Sequence, residues 1–550
     1  MDRLTDPRFE TAFPHLSEAQ IRAIEAHAEV MSFNDGDYLW HVGDREFGCF
    51  IVKEGRVEIV EETLGVQSHV TFHEPGSFSG DVDLLSGRPS LVSGIARGHC
   101  KAIRLTPTCL RTIVAEQPDV GDMVLKAFIM RRVLLLERGL TGLRILGSRF
   151  SAETQAIREF CARNRVPNTW IDLESDEGVS QMLQSFQVSP EETPVVVLHD
   201  GTILRNPTIN EIAKRVGVRR VIDQVVYDLV VIGAGPAGLA ASVYGASEGL
   251  RTLLLDRVAP GGQAGTSSKI ENYLGFPTGV SGQELADRAL VQAEKFGTMM
   301  SVPTEVTKLE CADGDHRVTI DGGEELHARA VVLATGAHYR KLDVPGYKEL
   351  EMRGVYYAAT GMEAQLCRDS DVIVVGAGNS AGQAAVYLSG TARKVWMVVR
   401  GKSLEATMSM YLVRRIAGIA NIEVLTETEI AQVHGEHSVE MVEVLDKKAQ
   451  TKRCLTATAL FVFIGAIPQT EWASERVRLD AKGFVLTGPA VAKDPSWTLP
   501  RAPLFLETSC PGIFAAGDVR SGSIKRVASA VGEGSMTVAF VHEYLQGISA

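Results

Sequence analysis

Two glycine-rich turns, "VVIGAGPAG" at 230–238 and "IVVGAGNSAG" at 373–382, constrain this chain more than any other feature. The first belongs to "YDLVVIGAGPAGLAASVYGASEGLRTLLLD": an apolar strand, a Gly233-x-Gly235-x-x-Gly238 turn, a helix, and a second strand ending at Asp256. The first glycine permits the tight turn, the second lets a pyrophosphate approach the backbone, and the third lets the helix pack on the strand. Pro236 and Ala237 open a helix whose free N–H groups and dipole favour phosphate. Asp256, 18 residues beyond Gly238, is placed for a ribose hydroxyl. The second turn repeats the pattern with Gly376, Gly378, Asn379, Ser380 and Ala381 or Gly382. No carboxylate closes its second strand. Arg400 and Lys402 stand there instead, and a cation suits the 2′-phosphate of NADPH. Such a chain is expected to pass electrons between two dinucleotides.

With 550 residues the chain exceeds one core, so roughly three or four domains are expected. Apolar content of 45% and charged content of 23% suit a soluble globular protein. The net charge of −12, from 56 basic and 68 acidic residues, argues against a general nucleic-acid or anionic-membrane surface. "MDRLTDPRFETAF" has early acids and no apolar core, so it does not read as a secretory signal. No apolar run approaches the ~20 residues of a membrane helix. Cys49, Cys100, Cys109, Cys161, Cys311, Cys367, Cys454 and Cys510 are scattered without a Cys-x-x-Cys, which fits a reducing cytoplasm and gives no zinc or disulfide framework. His69, His73 and His99 lack metal spacing, so no metal is expected.

The chain reads as four pieces. Residues 1–141 hold an N-capped helix after Ser17, short strands broken by glycine over about 36–105, and two helical patterns separated near "EQPDVGD". This predicts an all-β roll with flanking helices. Residues 143–222 read strand, helix, strand, hairpin, helix, the order of a small α/β thioredoxin- or glutaredoxin-like unit. Thr193-Pro194 falls where that fold keeps a cis-proline, and the active-site position, "SRFSAET", has no cysteine. Docking or scaffolding, rather than thiol chemistry, is the expected role. The charged stretch "EHSVEMVEVLDKKAQTKR" reads as a solvated hairpin.

Further motifs accompany the turns: "PGGQAG" at 260–265, "IENYLGFP" at 270–277, "VLATGA" at 332–337, "GIFAAGD" at 512–518 and "KRVASAVGEG" at 525–534. With them, residues 226–550 resemble the low-molecular-weight thioredoxin reductase family of FAD-dependent pyridine nucleotide oxidoreductases. The resemblance implies an FAD domain at 226–344 and 467–550, with an NAD(P)H domain inserted at 345–466. It places Gly262, Gln263 and Asn272 at FAD, and Gly517 and Asp518 at its ribityl end. It also implies NADPH as donor, with NADH as the alternative, and a homodimer.

Two departures matter. Where that family carries Cys-Ala-Thr-Cys, this chain has Ala358, Ala359, Thr360 and Gly361, so both sulfurs of the dithiol are gone. Cys367 is the nearest thiol, a weak catalytic candidate for which a structural role is expected. The family's His-Arg-Arg is here Val399-Arg400-Gly401, with one arginine lost.

"FGCFIVKEGRVEI" and "GSFSGDVDLLSGRPSLVSGIAR" resemble the cyclic-nucleotide-binding domain family. The resemblance puts Gly80, Asp81, Arg88 and Ser90 in its phosphate-binding cassette. Asp81 replaces the glutamate for the ribose and Ser90 the arginine for the cyclic phosphate. Losing one charge-assisted hydrogen bond costs about 1.5–3 kcal/mol, roughly ten- to more than a hundredfold in affinity. Arg88 or Arg97 is the available substitute. A regulatory domain that binds cyclic AMP weakly or not at all is expected.

The expected function is an FAD-dependent oxidoreductase moving electrons from NADPH to an external acceptor, such as a thioredoxin-like protein, a quinone or a small disulfide. The alternative is a ligand- or redox-responsive flavoprotein sensor with little turnover.

Overall fold

The computed structural model describes residues 7–549 apart from 27, 46, 64–65, 139–141, 175–188, 199, 313, 496 and 498. Two compact units divide it, one holding most of residues 1–221 and the other most of 222–550.

In the first unit, Ser17 caps the helix Glu18–Glu25 through a reciprocal box with Gln20. Strands Glu29–Phe33, Tyr38–Trp40, Cys49–Thr63, Val66–His73 and Ser93–Leu105 form one antiparallel sheet. The segments expected as strands at 47–62 and 90–105 form the strands Cys49–Thr63 and Ser93–Leu105. Gly55 lies inside a strand of 15 residues, where the register shifts on both sides of Glu54. It has φ +73°, and a Cβ there would stand 2.4 Å from the His99 carbonyl oxygen. Glycine makes a bulge here and does not end the strand. Helices Pro107–Glu116 and Pro118–Arg138 follow.

A second, four-stranded sheet in this unit runs in the order 168–172, 143–147, 195–197, 203–205. The first two strands are parallel and the rest antiparallel. The Thr193–Pro194 peptide is cis. Thr208 and Glu211 make a capping box on the helix Ile209–Arg215. Cys161, on the helix Ala152–Arg163, is fully buried. The expected boundary near 141 lies outside the described residues.

In the second unit, the buried strand Val226–Ile232 pairs in parallel with Thr252–Leu255 and with Glu325–Leu333, which in turn pairs with Ile513–Ala515. His316–Ile320 and Val306–Glu310 extend the sheet antiparallel. A second parallel sheet runs 355–356, 459–462, 371–375, 394–398, 422–425. Strands Ala337–Tyr339 and Ala466–Pro468 pair antiparallel where the chain passes between the two sheets. The charged hairpin is part of a three-stranded sheet, 428–434, 441–446, 451–456. Val442 and Val444 are buried, so it is solvated on one face only.

Cys311 and Cys510 are joined by a disulfide with Cα atoms 6.6 Å apart. This corrects the expectation of no disulfide. The two residues are 199 positions apart, so no local spacing marks them as partners.

Candidate active site

Each glycine of the first turn meets a different demand. Gly233 has φ +108°, and a Cβ there would stand 2.3 Å from the Ala334 carbonyl oxygen. A Cβ on Gly238 would stand 1.7 Å from the Gly233 carbonyl oxygen. Gly235 is opposite in kind, since a Cβ there would meet nothing within 4 Å. It is also the N-cap of the helix Pro236–Ser247 and offers no side chain to the free N–H groups. That is a cradle open to a phosphate, with a helix N-terminus behind it.

The neighbouring loops are tied to this turn. Gly261 donates its N–H to the Ala234 carbonyl at 2.7 Å, and a Cβ on Gly262 would stand 3.0 Å from the Gly235 Cα. Asp256 accepts from the N–H of Ala234 at 2.7 Å, Val258 at 2.8 Å and Ala259 at 3.0 Å. The acid expected at a ribose thus also holds two loops in place. Gln263 donates its side-chain amide to the Ala337 carbonyl. Asn272 is exposed beside Glu271.

Gly517, with φ +78°, donates its N–H to Glu533 at 2.7 Å. Glu533 also pairs with Arg520. The helix Val527–Ser549 packs so closely on the first turn's helix that a Cβ on Gly534 would lie 2.1 Å from the Ala237 carbonyl oxygen. Asp518 is half-buried and accepts no hydrogen bond among the described residues. Burial pushes its carboxyl up, against the pull of Lys525. Thr335, beside the Gly233 turn, has a buried hydroxyl oxygen with no hydrogen-bond partner among the described residues. The open cradle, the orphaned hydroxyl and the unengaged Asp518 together fit a bound dinucleotide. Sequence reasoning did not single out Thr335 or Glu533, although "VLATGA" and "VGEG" contain them.

The second turn is built on the same plan with more slack. Gly376 has φ +136° and a Cβ there would meet the Phe463 carbonyl oxygen at 2.4 Å, while Gly378 is open. Ala381 occupies the third position with its methyl group buried. Asn379 accepts from the Ser409 N–H at 2.7 Å. Burial raises the Tyr339 phenol, opposed by a hydrogen bond with Ser380. Arg400 and Lys402 are exposed, and neither pairs with a carboxylate among the described residues.

At the altered dithiol position, Gly361 opens the helix Gly361–Leu366. Thr360 donates its N–H to Glu363 at 2.8 Å and its hydroxyl to the same carboxylate. Cys367 is 2% exposed in an apolar core, where burial first and Glu363 second push its thiol up to about 12.

Two glycine cradles, each following a strand with parallel neighbours, define a two-dinucleotide flavoprotein oxidoreductase. Residues 227–534 match the family described as pyridine nucleotide-disulphide oxidoreductase, and this chain belongs to it. The chain is 32% identical to thioredoxin reductase of Bacillus subtilis over 334 residues, 59% of this chain and 96% of that protein. It is 34% identical to the Treponema pallidum thioredoxin reductase over 319 residues, 58% and 97% of the two chains. The crystal structure of Lactococcus lactis thioredoxin reductase superposes with a TM-score of 0.53 at 28% identity, covering 58% of this chain and 99% of that one. This chain is therefore an NAD(P)H-dependent flavoprotein oxidoreductase that uses FAD and NADPH. Residues 30–117 match the cyclic nucleotide-binding domain, so that domain is fused N-terminal to the flavoprotein.

In the roll, the chain itself engages all four cassette residues. Arg131 donates to the Gly80 carbonyl at 2.8 Å, and a Cβ on Gly80 would stand 2.9 Å from the Phe128 ring. Asp81 caps the helix Val82–Ser86 and lies 3.7 Å from Arg132, which bonds Asp83 at 2.7 Å. Arg88 is buried and donates to the Asn164 carbonyl at 3.0 Å. Ser90 accepts from the Trp40 indole N–H at 3.1 Å. Trp40 stacks on Phe47 and Phe50, and its ring lies 2.3 Å from where a Cβ on Gly94 would be. Arg97, the other candidate cation, donates to Glu58 at 2.6 Å.

Proposed function

We propose that this chain carries electrons from NADPH through FAD directly to an external acceptor, without a protein dithiol. The observation that carries this reading is the pairing of two intact cradles with Ala358 and Gly361 at the dithiol position. The burial and raised pKa of Cys367 favour a structural role for that thiol.

Bound FAD and NADPH supply the hydride and electron chemistry, and the chain binds and orients them. Gly233, Gly235, Pro236, Ala237 and Gly238 receive the FAD pyrophosphate. Asp256 holds the loops and reaches a ribose hydroxyl. Gly262, Gln263, Asn272, Gly517 and Asp518 line the rest of the flavin site. Gly376, Gly378, Asn379, Ser380 and Ala381 receive NADPH, and Arg400 meets its 2′-phosphate. The domains are 1–141, 143–222, 226–344 with 467–550, and 345–466. The unit at 143–222, thioredoxin-like in strand order, serves docking. The protein works as a cytoplasmic homodimer, and its roll is a regulatory domain.

An acceptor panel under steady-state NADPH tests this, with thioredoxin, a quinone and a small disulfide as acceptors. Fast NADPH oxidation with one of them supports the proposal. Tight NADPH binding with slow turnover on all of them would favour a sensor.

A further inference from the structure

We propose that Cys311 and Cys510 form a reversible thiol–disulfide site, which exchanges with low-molecular-weight thiols and disulfides and stands apart from the flavin chemistry.

The two sulfurs sit on separately anchored segments. Cys311 directly follows the strand Val306–Glu310, whose partner strand begins at His316. Cys510 precedes Ile513–Ala515 and lies in a segment built around Glu507. That carboxylate is fully buried and accepts from Arg501 at 2.6 and 2.8 Å, Leu504 N–H at 2.9 Å and Gly512 N–H at 3.0 Å. Thr508 accepts from the Cys510 N–H at 3.2 Å, and Ser509 from the Arg478 N–H at 2.9 Å. None of these bonds uses a sulfur. Opening the disulfide therefore leaves both cysteines facing each other, ready to close again.

Access is one-sided. Cys510 is 8% exposed, whereas Cys311 is half-buried. The preceding residue, Glu310, is paired with Lys308 at 2.6 Å and Arg317 at 3.2 Å. A thiolate from solvent reaches the Cys311 sulfur first. Cys49, Cys100, Cys161 and Cys367 differ, being buried and unpaired with another cysteine.

The site is also remote from the first cradle. His316 is opposite Ala328 in the sheet, while Gly233 lies against Ala334. At about 3.3 Å per residue, these two places are roughly 20 Å apart along that strand.

The exchange balances as follows. The Cys311 thiolate attacks a small disulfide RSSR, forming a Cys311–SR bond and releasing RS⁻, which takes a proton. Cys510 loses its proton to solvent and displaces the second RS⁻, closing Cys311–Cys510. Two protein thiols and RSSR thus become one protein disulfide and two RSH. A thiolate attacking Cys311 runs the sequence backwards.

The test uses the full-length, FAD-loaded protein, glutathione as the probe, and alkylation with mass spectrometry as the readout. At the peptide level, glutathione disulfide should remove the alkylatable thiols of Cys311 and Cys510 with the loss of two hydrogens, giving a linked Cys311–Cys510 peptide, while the exposed Cys454 forms at most a glutathione adduct. Reduced glutathione should restore both thiols without loss of FAD. In Cys311→Ser, Cys510 should stay alkylatable or form at most a glutathione adduct, and Cys510→Ala should give the mirror result. The unmutated protein alone decides if a variant folds poorly. Thiols at 311 and 510 that both survive glutathione disulfide would overturn the proposal, as would a bond that resists reduction until the chain is unfolded.

Discussion

Gly238 sits directly beneath Gly233: a Cβ on the first would stand 1.7 Å from the carbonyl oxygen of the second. Ala381, at the matching place in the second turn, keeps its methyl group. The first turn is therefore closed around glycine more tightly than the second. Gly238→Ala should force helix and strand apart, costing about 1–3 kcal/mol and much of the FAD content. Ala381→Gly should change flavin content little. Flavin-to-protein absorbance ratios and melting curves check both.

Gly235 separates binding from folding. A Cβ there meets no protein atom within 4 Å, so the chain tolerates it. The space it enters is the one proposed for pyrophosphate. Gly235→Ala should keep the apoprotein's melting temperature and lower FAD affinity by tenfold or more, about 1.4 kcal/mol per tenfold. Equal losses of stability and affinity would remove the distinction.

The exposed Arg400 has no carboxylate partner among the described residues. NADPH should reduce the flavin faster than NADH, and Arg400→Ala should narrow the ratio by roughly tenfold, the effect of one charge-assisted phosphate contact. Stopped-flow reduction with each nucleotide measures it. An unchanged ratio would move the 2′-phosphate contact elsewhere.

Cyclic AMP should bind weakly or not at all. Ser90 holds Trp40 where the phosphate arginine is expected, and Arg88 is committed to Asn164. Calorimetry should detect no submicromolar site. A tight isotherm would mean that Trp40 leaves its place on Phe50.

The organisation of this chain was legible wherever local chemistry dictates it. Glycine spacing marked both cradles, and Ser17 marked a helix start because caps act within one turn. Relationships across the fold were not legible. The Cys311–Cys510 pair spans 199 residues, and Trp40 reaches Ser90 only once the roll closes. The backbone N–H groups of Ala234, Val258 and Ala259 that surround the Asp256 carboxylate were likewise not visible in the sequence.

The central claim is that no protein dithiol stands between flavin and acceptor, and an anaerobic NADPH titration followed at the flavin absorbance tests it most directly. The account predicts full reduction at one NADPH, two electrons, per FAD, with the same end point in Cys367→Ser. Restoring the two sulfurs as A358C/G361C provides the internal control. Gly361 has room for a side chain, since a Cβ there meets only the Tyr387 hydroxyl at 3.7 Å. That variant, once oxidised, should take up two further electrons per FAD. Four electrons per FAD in the unmutated protein would contradict the account and show that a thiol pair of this chain accepts electrons from the flavin.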